Sequence, residues 1–489
     1  MDRYLAVVLH CHIPWVLGEG VWPHGVHWLH QAAADSYLPL WEELSRLEEG
    51  AVSVSFTPVL LRQLGDADWQ ADFRSYLTER RDAARRDEGE FERRGEGTQA
   101  GLARFWAGVF EERLRRFEEL GGDLPGAFRT LAERGRVEIL TSAATHGILP
   151  LLPPGSRRAQ IALGMSTSRR VFGGDPAGFW LPECAYRPGL EQDLAQAGVR
   201  YTILDAGLLG GRRVEPYGGE TAGSNGPTCS PYRPYRFPGG KVAFFVRDPR
   251  TAQTVWSRRW GYPGDPAYLE FHKRRDPGGH RYWRVTDHHC DLAFKEVYDP
   301  AAVAEPVRMQ ADHFVAQARE HLGYEPGGIL VSPFDGELFG HWWFEGPRWL
   351  GEVLRRWSAV SGYRAITLGR YLEEHPPRKV CKPAAGSWGE GGDFRVWDNP
   401  DTRWVWQAIQ EGDAEVARRE VQAGGEEVAA AAQELLLLEG SDWPFCIFTG
   451  EAEDYARQRL ADHRRHLEEF LARGGSRDVF REVDPGWWR

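Results

Sequence analysis

The 489-residue chain is poor in sulfur, with six cysteines and three methionines, and it has no apolar run long enough to span a bilayer. It also lacks a Gly-x-Gly-x-x-Gly fingerprint after its first strand-like segment, a basic surplus and an internal repeat. Each absence removes a class. The cysteines (Cys11, Cys184, Cys229, Cys290, Cys381, Cys446) have no close pair, which argues against a disulfide framework and a thiolate zinc site. The opening Met1-Asp-Arg-Tyr-Leu-Ala-Val-Val-Leu runs at once into His10, too short for the apolar part of a secretory leader. Cytoplasmic location without membrane attachment is therefore expected. A net charge of −11 argues against a nucleic-acid surface. Without the glycine fingerprint, dinucleotide binding is disfavoured, and no cofactor is expected.

What the chain does have is tryptophan, 21 residues of it. Most must serve the core, but flat indoles with one polar edge also suit the apolar C–H faces of sugars. Apolar runs recur along the sequence and most end in a polar group. Tyr4–Leu9 leads to His10 and His12, Val52–Phe56 to Thr57, and Val137–Leu140 to Thr145 and His146. Tyr201–Leu204 leads to Asp205, and Val242–Val246 to Arg247 and Asp248. Helical patterns fall between them, for example Ser36–Glu48, Leu124–Arg134, Gly189–Ala197 and Pro300–Leu322. Repeated strand–helix units predict an α/β fold with a parallel sheet. Polar residues gathered at the strand ends point to a β/α barrel with its site on that face, with an open doubly wound sheet as the alternative.

Two of these runs end in carboxylates: Gly178-Phe-Trp-Leu-Pro-Glu183 and Gly328-Ile-Leu-Val-Ser-Pro-Phe-Asp335. A carboxylate closing a buried strand is costly unless it is paired or faces a wet cleft. Glu183 could instead pair with Arg187, and Asp335 could cap a turn opened by Gly336. Neither alternative explains why both end strands of one sheet, and two such groups among aromatics suggest a carbohydrate-cleaving pair. His10 and His12, two apart on a strand, face the same side and could hydrogen-bond a sugar or ligate a metal. Asp205, His146 and His341 are candidate third ligands, but no spacing matches a zinc signature, so sugar binding outweighs a metal here, with a purely structural role for the histidines as the third option.

Insertions decorate the core: a charged helical segment at about 66–119, and a Gly- and Pro-rich loop at about 207–240 carrying Tyr217, Tyr232 and Tyr235. A barrel over 1–378 and an all-helical domain over 379–489 are expected. The latter holds helices at Trp404–Glu411, Asp413–Ala423, Glu426–Glu439 and Glu451–Ala472.

Several spaced motifs together resemble glycoside hydrolase family 57, in particular its 1,4-α-glucan branching enzymes. They are His10-Cys-His12-Ile-Pro14, Ala144-Thr-His-Gly147, Trp180-Leu-Pro-Glu183-Cys-Ala-Tyr186, Ser332-Pro-Phe-Asp335-Gly-Glu-Leu-Phe-Gly-His-Trp-Trp343 and Ser387-Trp-Gly-Glu-Gly-Gly-Asp-Phe-Arg-Val-Trp397. The resemblance implies a distorted (β/α)7 barrel with helical insertions, an all-α C-terminal domain lining the cleft, and no metal. It implies a retaining reaction with Glu183 as nucleophile and Asp335 as general acid/base, their carboxyl groups ~5–5.5 Å apart. Tyr217 matches a loop-tip tyrosine that keeps water from the intermediate. Trp22, Trp256, Trp397 and Trp406 match aromatic platforms, and Arg247, Gly264 and Asp442 match substrate contacts. Glu451 stands where a glutamine is expected, and Phe334 where a tyrosine is common. The implied partner is an α-1,4-glucan bound by a monomer or small homo-oligomer. An α-amylase or 4-α-glucanotransferase on the same frame, a metal-dependent deacetylase-like enzyme and a non-catalytic glycan binder are the other readings.

Overall fold

The computed structural model describes residues 2–488 apart from 22–23, 49, 211–212, 215–219, 222–228, 257–260, 288, 324, 424 and 481. Seven parallel strands form its centre: β1 (Arg3–Cys11), β2 (Val52–Phe56), β3 (Val137–Ser142), β4 (Gly178–Trp180), β5 (Tyr201–Leu204), β6 (Ala243–Val246) and β7 (Ile329–Asp335). Their spatial order is β7-β1-β2-β3-β4-β5-β6. The ring closes through one parallel bridge, Arg247 to Val331, with the Asp248 N–H donating to the Val331 carbonyl at 2.8 Å. This is the expected distorted seven-stranded barrel, weakly joined at one seam. The seam explains how β7 tolerates Pro333: the strand is paired along its length only with β1, so the missing N–H breaks no second ladder.

Where β1 carries Val7, Val8 and Leu9 on successive positions, both faces are buried, one against the barrel interior and one against covering helices. The predicted helical insertion is a hairpin of α1 (Ala67–Arg94) and α2 (Gly97–Glu119). Asp66 caps α1 by accepting from the Trp69 N–H at 2.9 Å, and Gly95 ends it in the left-handed conformation.

After the barrel come α3 (Arg403–Ala423), α4 (Gly425–Leu438), α5 (Asp442–Thr449) and α6 (Glu453–Arg473). Two sequence expectations change here. Residues 404–423 form one helix rather than two, running through Gly412. A side chain at Gly412 would meet Leu435 and Leu467 at 2.9 Å, so glycine marks close packing of α3 on α4 and α6, not a break. The segment Asp442–Thr449 is a helix that sequence periodicity did not reveal, being short and carrying Pro444 in its first turn. These helices share a core with the barrel: Leu435, Trp443 and Leu460 pack in one cluster with Leu149, Phe179 and Leu204.

Cys229 and Cys381 form a disulfide across 152 residues. Spacing in sequence did not suggest it. The two meet because Arg236 pairs with Val380, bringing the end of the Gly-rich insertion beside the segment that leaves the barrel. Among the described residues, no helix is long and apolar enough to cross a membrane.

Candidate active site

The C-terminal ends of the strands open into a cleft of about 1240 Å³. It is lined by His10, His12, His146, Glu183, Asp205, Arg247, Trp256, Asp335, His341, Trp397, Asp442 and Glu451, all singled out by sequence. Gly264 and Trp406 do not reach it. Gly264 is buried in a short turn, and Trp406 donates from Nε1 to the Trp397 carbonyl at 2.8 Å, supporting a neighbour rather than facing the cleft. Trp397 itself is almost wholly buried. Tyr217 and Trp22 lie outside the described residues.

Strand register assembles the floor. In the parallel ladders Asp335 of β7 lies beside His10 of β1, and His10 beside Ser55 of β2. His10 Nδ1 lies 3.2 Å from Ser55 Oγ, and its Nε2 lies 2.9 Å from His146 Nε2. One of those two rings must donate and the other accept. Burial lowers both rings' pKa values well below the usual imidazole value, so they sit neutral. His12 bonds Thr57 Oγ1 through Nδ1 and Asp442 Oδ2 through Nε2, each at 3.0 Å. His146 Nδ1 bonds Ser441 Oγ at 2.7 Å. Ser441 and Asp442, at the start of α5, thus fix two barrel histidines. His146 takes a left-handed backbone (φ 62°), as does Glu183 (φ 58°) and the next residue, Cys184 (φ 49°). Such backbone costs about 1–3 kcal/mol per residue and is held only where surroundings over-determine it.

What holds Glu183 is Trp388. Its N–H donates to the Glu183 carbonyl at 3.1 Å, and its indole Nε1–H donates to Glu183 Oε2 at 2.6 Å. The Arg247 guanidinium lies over the same indole, 4.7 Å from the ring centroid. Arg187 packs on Phe394 instead, so the alternative pairing with Glu183 is not formed. Glu183 keeps 22 % of its side chain open to the cleft and is otherwise enclosed. Burial pushes its carboxyl up to about 7 against the relief of the Trp388 bond, and the Asp442 charge adds to the rise.

Asp335 opens the turn after β7 yet makes no side-chain cap bond. Burial raises its pKa well above the ordinary carboxylate value, followed by the charges of Glu183 and Glu337, with Arg247 opposing. Gly336 is needed for space, not for a turn: a Cβ there would lie 2.6 Å from Cys11 Sγ. The neighbouring Glu337, which sequence reasoning did not single out as a site residue, is buried and accepts from the His12 N–H at 3.0 Å and from the Tyr37 hydroxyl. Tyr37 comes from a short π-helical turn (Ala33–Tyr37), a rarity that recurs near functional sites. In the same turn Ser36 Oγ accepts from the His341 N–H at 3.0 Å. The site is two carboxyl groups at the floor of an aromatic cleft, one with a tryptophan donor, the other raised by burial and then by its partner's charge. Among the described residues, no group of three or more His, Cys, Asp or Glu is arranged to hold a metal ion.

Sequence reasoning missed Trp388, Ser441 and Glu337 as parts of the site. The signal for Trp388 is the motif Ser387-Trp-Gly-Glu itself, in which nothing local distinguishes Trp388 from Trp397 at its far end.

A seven-stranded β/α barrel whose strand ends present a carboxyl pair in an aromatic cleft defines a glycosidic-bond enzyme. Residues 6–382 match glycosyl hydrolase family 57, and the chain belongs to that family. Residues 407–482 match the 1,4-alpha-glucan branching enzyme C-terminal region. A 1,4-alpha-glucan branching enzyme of Thermococcus kodakarensis is 38% identical over 95% of this chain and 73% of its own length. A probable 1,4-alpha-glucan branching enzyme of Mycobacterium tuberculosis is 31% identical over 99% of this chain and 95% of its own. The crystal structure of the Thermococcus enzyme superposes with TM-score 0.91 at 36% identity, covering 100% of this chain and 96% of that one. An α-amylase of Thermotoga maritima superposes with TM-score 0.87 at 26% identity, covering 100% and 99%.

Proposed function

We infer that this chain is a 1,4-α-glucan branching enzyme: it cuts an α-1,4 glucosidic bond and rejoins the freed chain as an α-1,6 branch. The observation that carries the reading is the Glu183–Asp335 pair on a frame whose near-full-length relatives bear that name. In the first step ionised Glu183 Oε attacks C1 of the bound sugar while protonated Asp335 gives its proton to the departing O4. A glucosyl ester on Glu183 results, with inversion at C1. In the second step Asp335, now a carboxylate, takes the proton from an acceptor 6-hydroxyl as that oxygen attacks C1 and Glu183 departs, so configuration is retained overall.

The electrostatics support this division of roles. Burial keeps the Asp335 proton in place, and with Glu183 ionised its charge adds to that hold. When Glu183 becomes a neutral ester, that charge disappears and Asp335 releases its proton more readily, as the first step requires. The Trp388 Nε1–H favours the ionised form of Glu183, which is the attacking one.

The remaining roles are proposals on the same basis. Asp205, Arg247, His341, Asp442 and Glu451 line the cleft and would hydrogen-bond sugar hydroxyls, with Trp256 offering a ring, while His10, His12 and His146, whose ring nitrogens are all taken by protein partners, would shape the floor on which the sugar sits. Tyr217 would exclude water from the ester. The barrel over 1–378 and the helical part over 379–489 would close on one glucan between them, in glycogen-type synthesis within the cytoplasm.

The α-amylase likeness keeps a second reading alive, because an amylase and a branching enzyme differ only in what attacks the ester. Incubation with linear amylose, then treatment with an α-1,6-specific debranching enzyme and chain-length analysis, separates them. Branching yields new short chains on debranching with little free reducing sugar. Reducing sugar without α-1,6 links would make the chain a hydrolase, and redistributed linear chains a 4-α-glucanotransferase.

A further inference from the structure

Helix α5 carries two phenylalanines that the chemistry above leaves unused. Phe445 is 40% exposed and Phe448 is 38% exposed, and both line the cleft. The helix does not need them to stay seated. Its other face is buried through Trp443, Pro444 and Ile447, and Trp443 Nε1 donates to the Leu437 carbonyl at 2.9 Å. At i and i+3 the two rings fall on one side of the helix. That helix begins at Asp442, whose carboxylate bonds His12 beside the carboxyl pair. With a rise of 1.5 Å per residue, Phe445 and Phe448 lie ~4.5 Å and ~9 Å further along the helix axis, and both face the cleft. Two solvated aromatic rings in a row along a binding wall are a recognition surface rather than scattered exposure.

We propose that Phe445 and Phe448 form a stacking track for an α-1,4-glucan chain beyond the reacting bond, making the enzyme selective for long chains. The proposal rests on the α-glucan reading above and adds residues and a length preference to it. A neutral polyhydroxylated chain fits the track: each sugar offers an apolar C–H face to a ring while its hydroxyls stay in water. A folded protein partner would have to enter the same cleft that holds the carboxyl pair, which makes the glucan the better occupant.

The test measures binding without turnover, in an E183Q background, by calorimetric titration with amylose and separately with maltotriose. The double change F445A/F448A should weaken amylose binding about tenfold, roughly 1.4 kcal/mol. Maltotriose, with too few sugars to sit across the carboxyl pair and cover both rings at once, should lose less. F445Y/F448Y, which keeps both rings, should retain amylose affinity, and F294A, removing an exposed ring outside the cleft lining, should leave both ligands at parental affinity. Should the double variant fail to fold by circular dichroism, F448A alone is read the same way. Amylose affinity within about twofold of the parent, or equal losses for the two ligands, would overturn the track while leaving the catalytic reading intact. A parent that binds neither sugar would overturn both.

Discussion

Replacing Glu183 with Gln should abolish turnover and, at alkaline pH, stabilise the protein. Burial holds the Glu183 carboxyl at about 7 in the folded state against an ordinary 4.5. A carboxyl whose folded pKa is raised contributes stability that is fully present below its unfolded pKa and is lost as pH rises through the folded one. Between pH 4.5 and pH 8 the wild type therefore gives up about 3 kcal/mol through this group, at ~1.4 kcal/mol per pKa unit. This is an upper figure, because the side chain retains its opening to the cleft. Glutamine keeps an oxygen to accept from Trp388 Nε1 and does not titrate, so the variant escapes the loss. It also removes the charge that raises Asp335, which adds to the gain. Thermal unfolding scanned at one fixed rate at pH 5 and at pH 8 reads the effect: similar midpoints at pH 5, and a variant higher by up to about 3 °C at pH 8, since a chain of 489 residues unfolds with an entropy of about 1 kcal/mol/K. Equal midpoints at both pH values would show that Glu183 carries no such electrostatic cost. Residual turnover near the wild-type rate would remove it as nucleophile.

Trp388→Phe deletes the indole donor while keeping an aromatic body under Arg247. The lost bond had lowered the carboxyl, so the acid limb of the kcat–pH profile should move to higher pH, with kcat down about tenfold or more; an unmoved limb would show that the bond does not tune Glu183. Tyr217→Ala should lower the ratio of branching to hydrolysis on amylose, and an unchanged ratio would discard the proposed water-excluding role.

Much of this site was legible from sequence because a barrel writes its chemistry in a regular place. An apolar run followed by a polar residue marks a strand and its functional end, which is how Glu183, Asp335, His10 and Arg247 could be singled out before any coordinates. Side-chain direction is less legible. Trp388 and Trp397 share one motif, and only the fold decides that Trp388 grips Glu183 while Trp397 is buried. Trp406 looked like a platform on the same grounds and instead holds the Trp397 backbone. Glycine was ambiguous for a related reason. Gly412 and Gly336 read as a break and a turn, but both are places where a neighbour leaves no room for a Cβ. The Cys229–Cys381 bond depends on a pairing between distant segments, which no local pattern encodes.

The central chemical claim is that a glucosyl group passes through Glu183. A slow fluorinated α-glucosyl fluoride, whose intermediate forms faster than it is released, should trap that ester. Peptide mapping by mass spectrometry should then find a hexosyl adduct on the peptide carrying Trp180-Leu-Pro-Glu183, absent from E183Q. An adduct on the Asp335 peptide would reverse the two roles, and turnover of the reagent with no adduct on either would overturn the covalent mechanism.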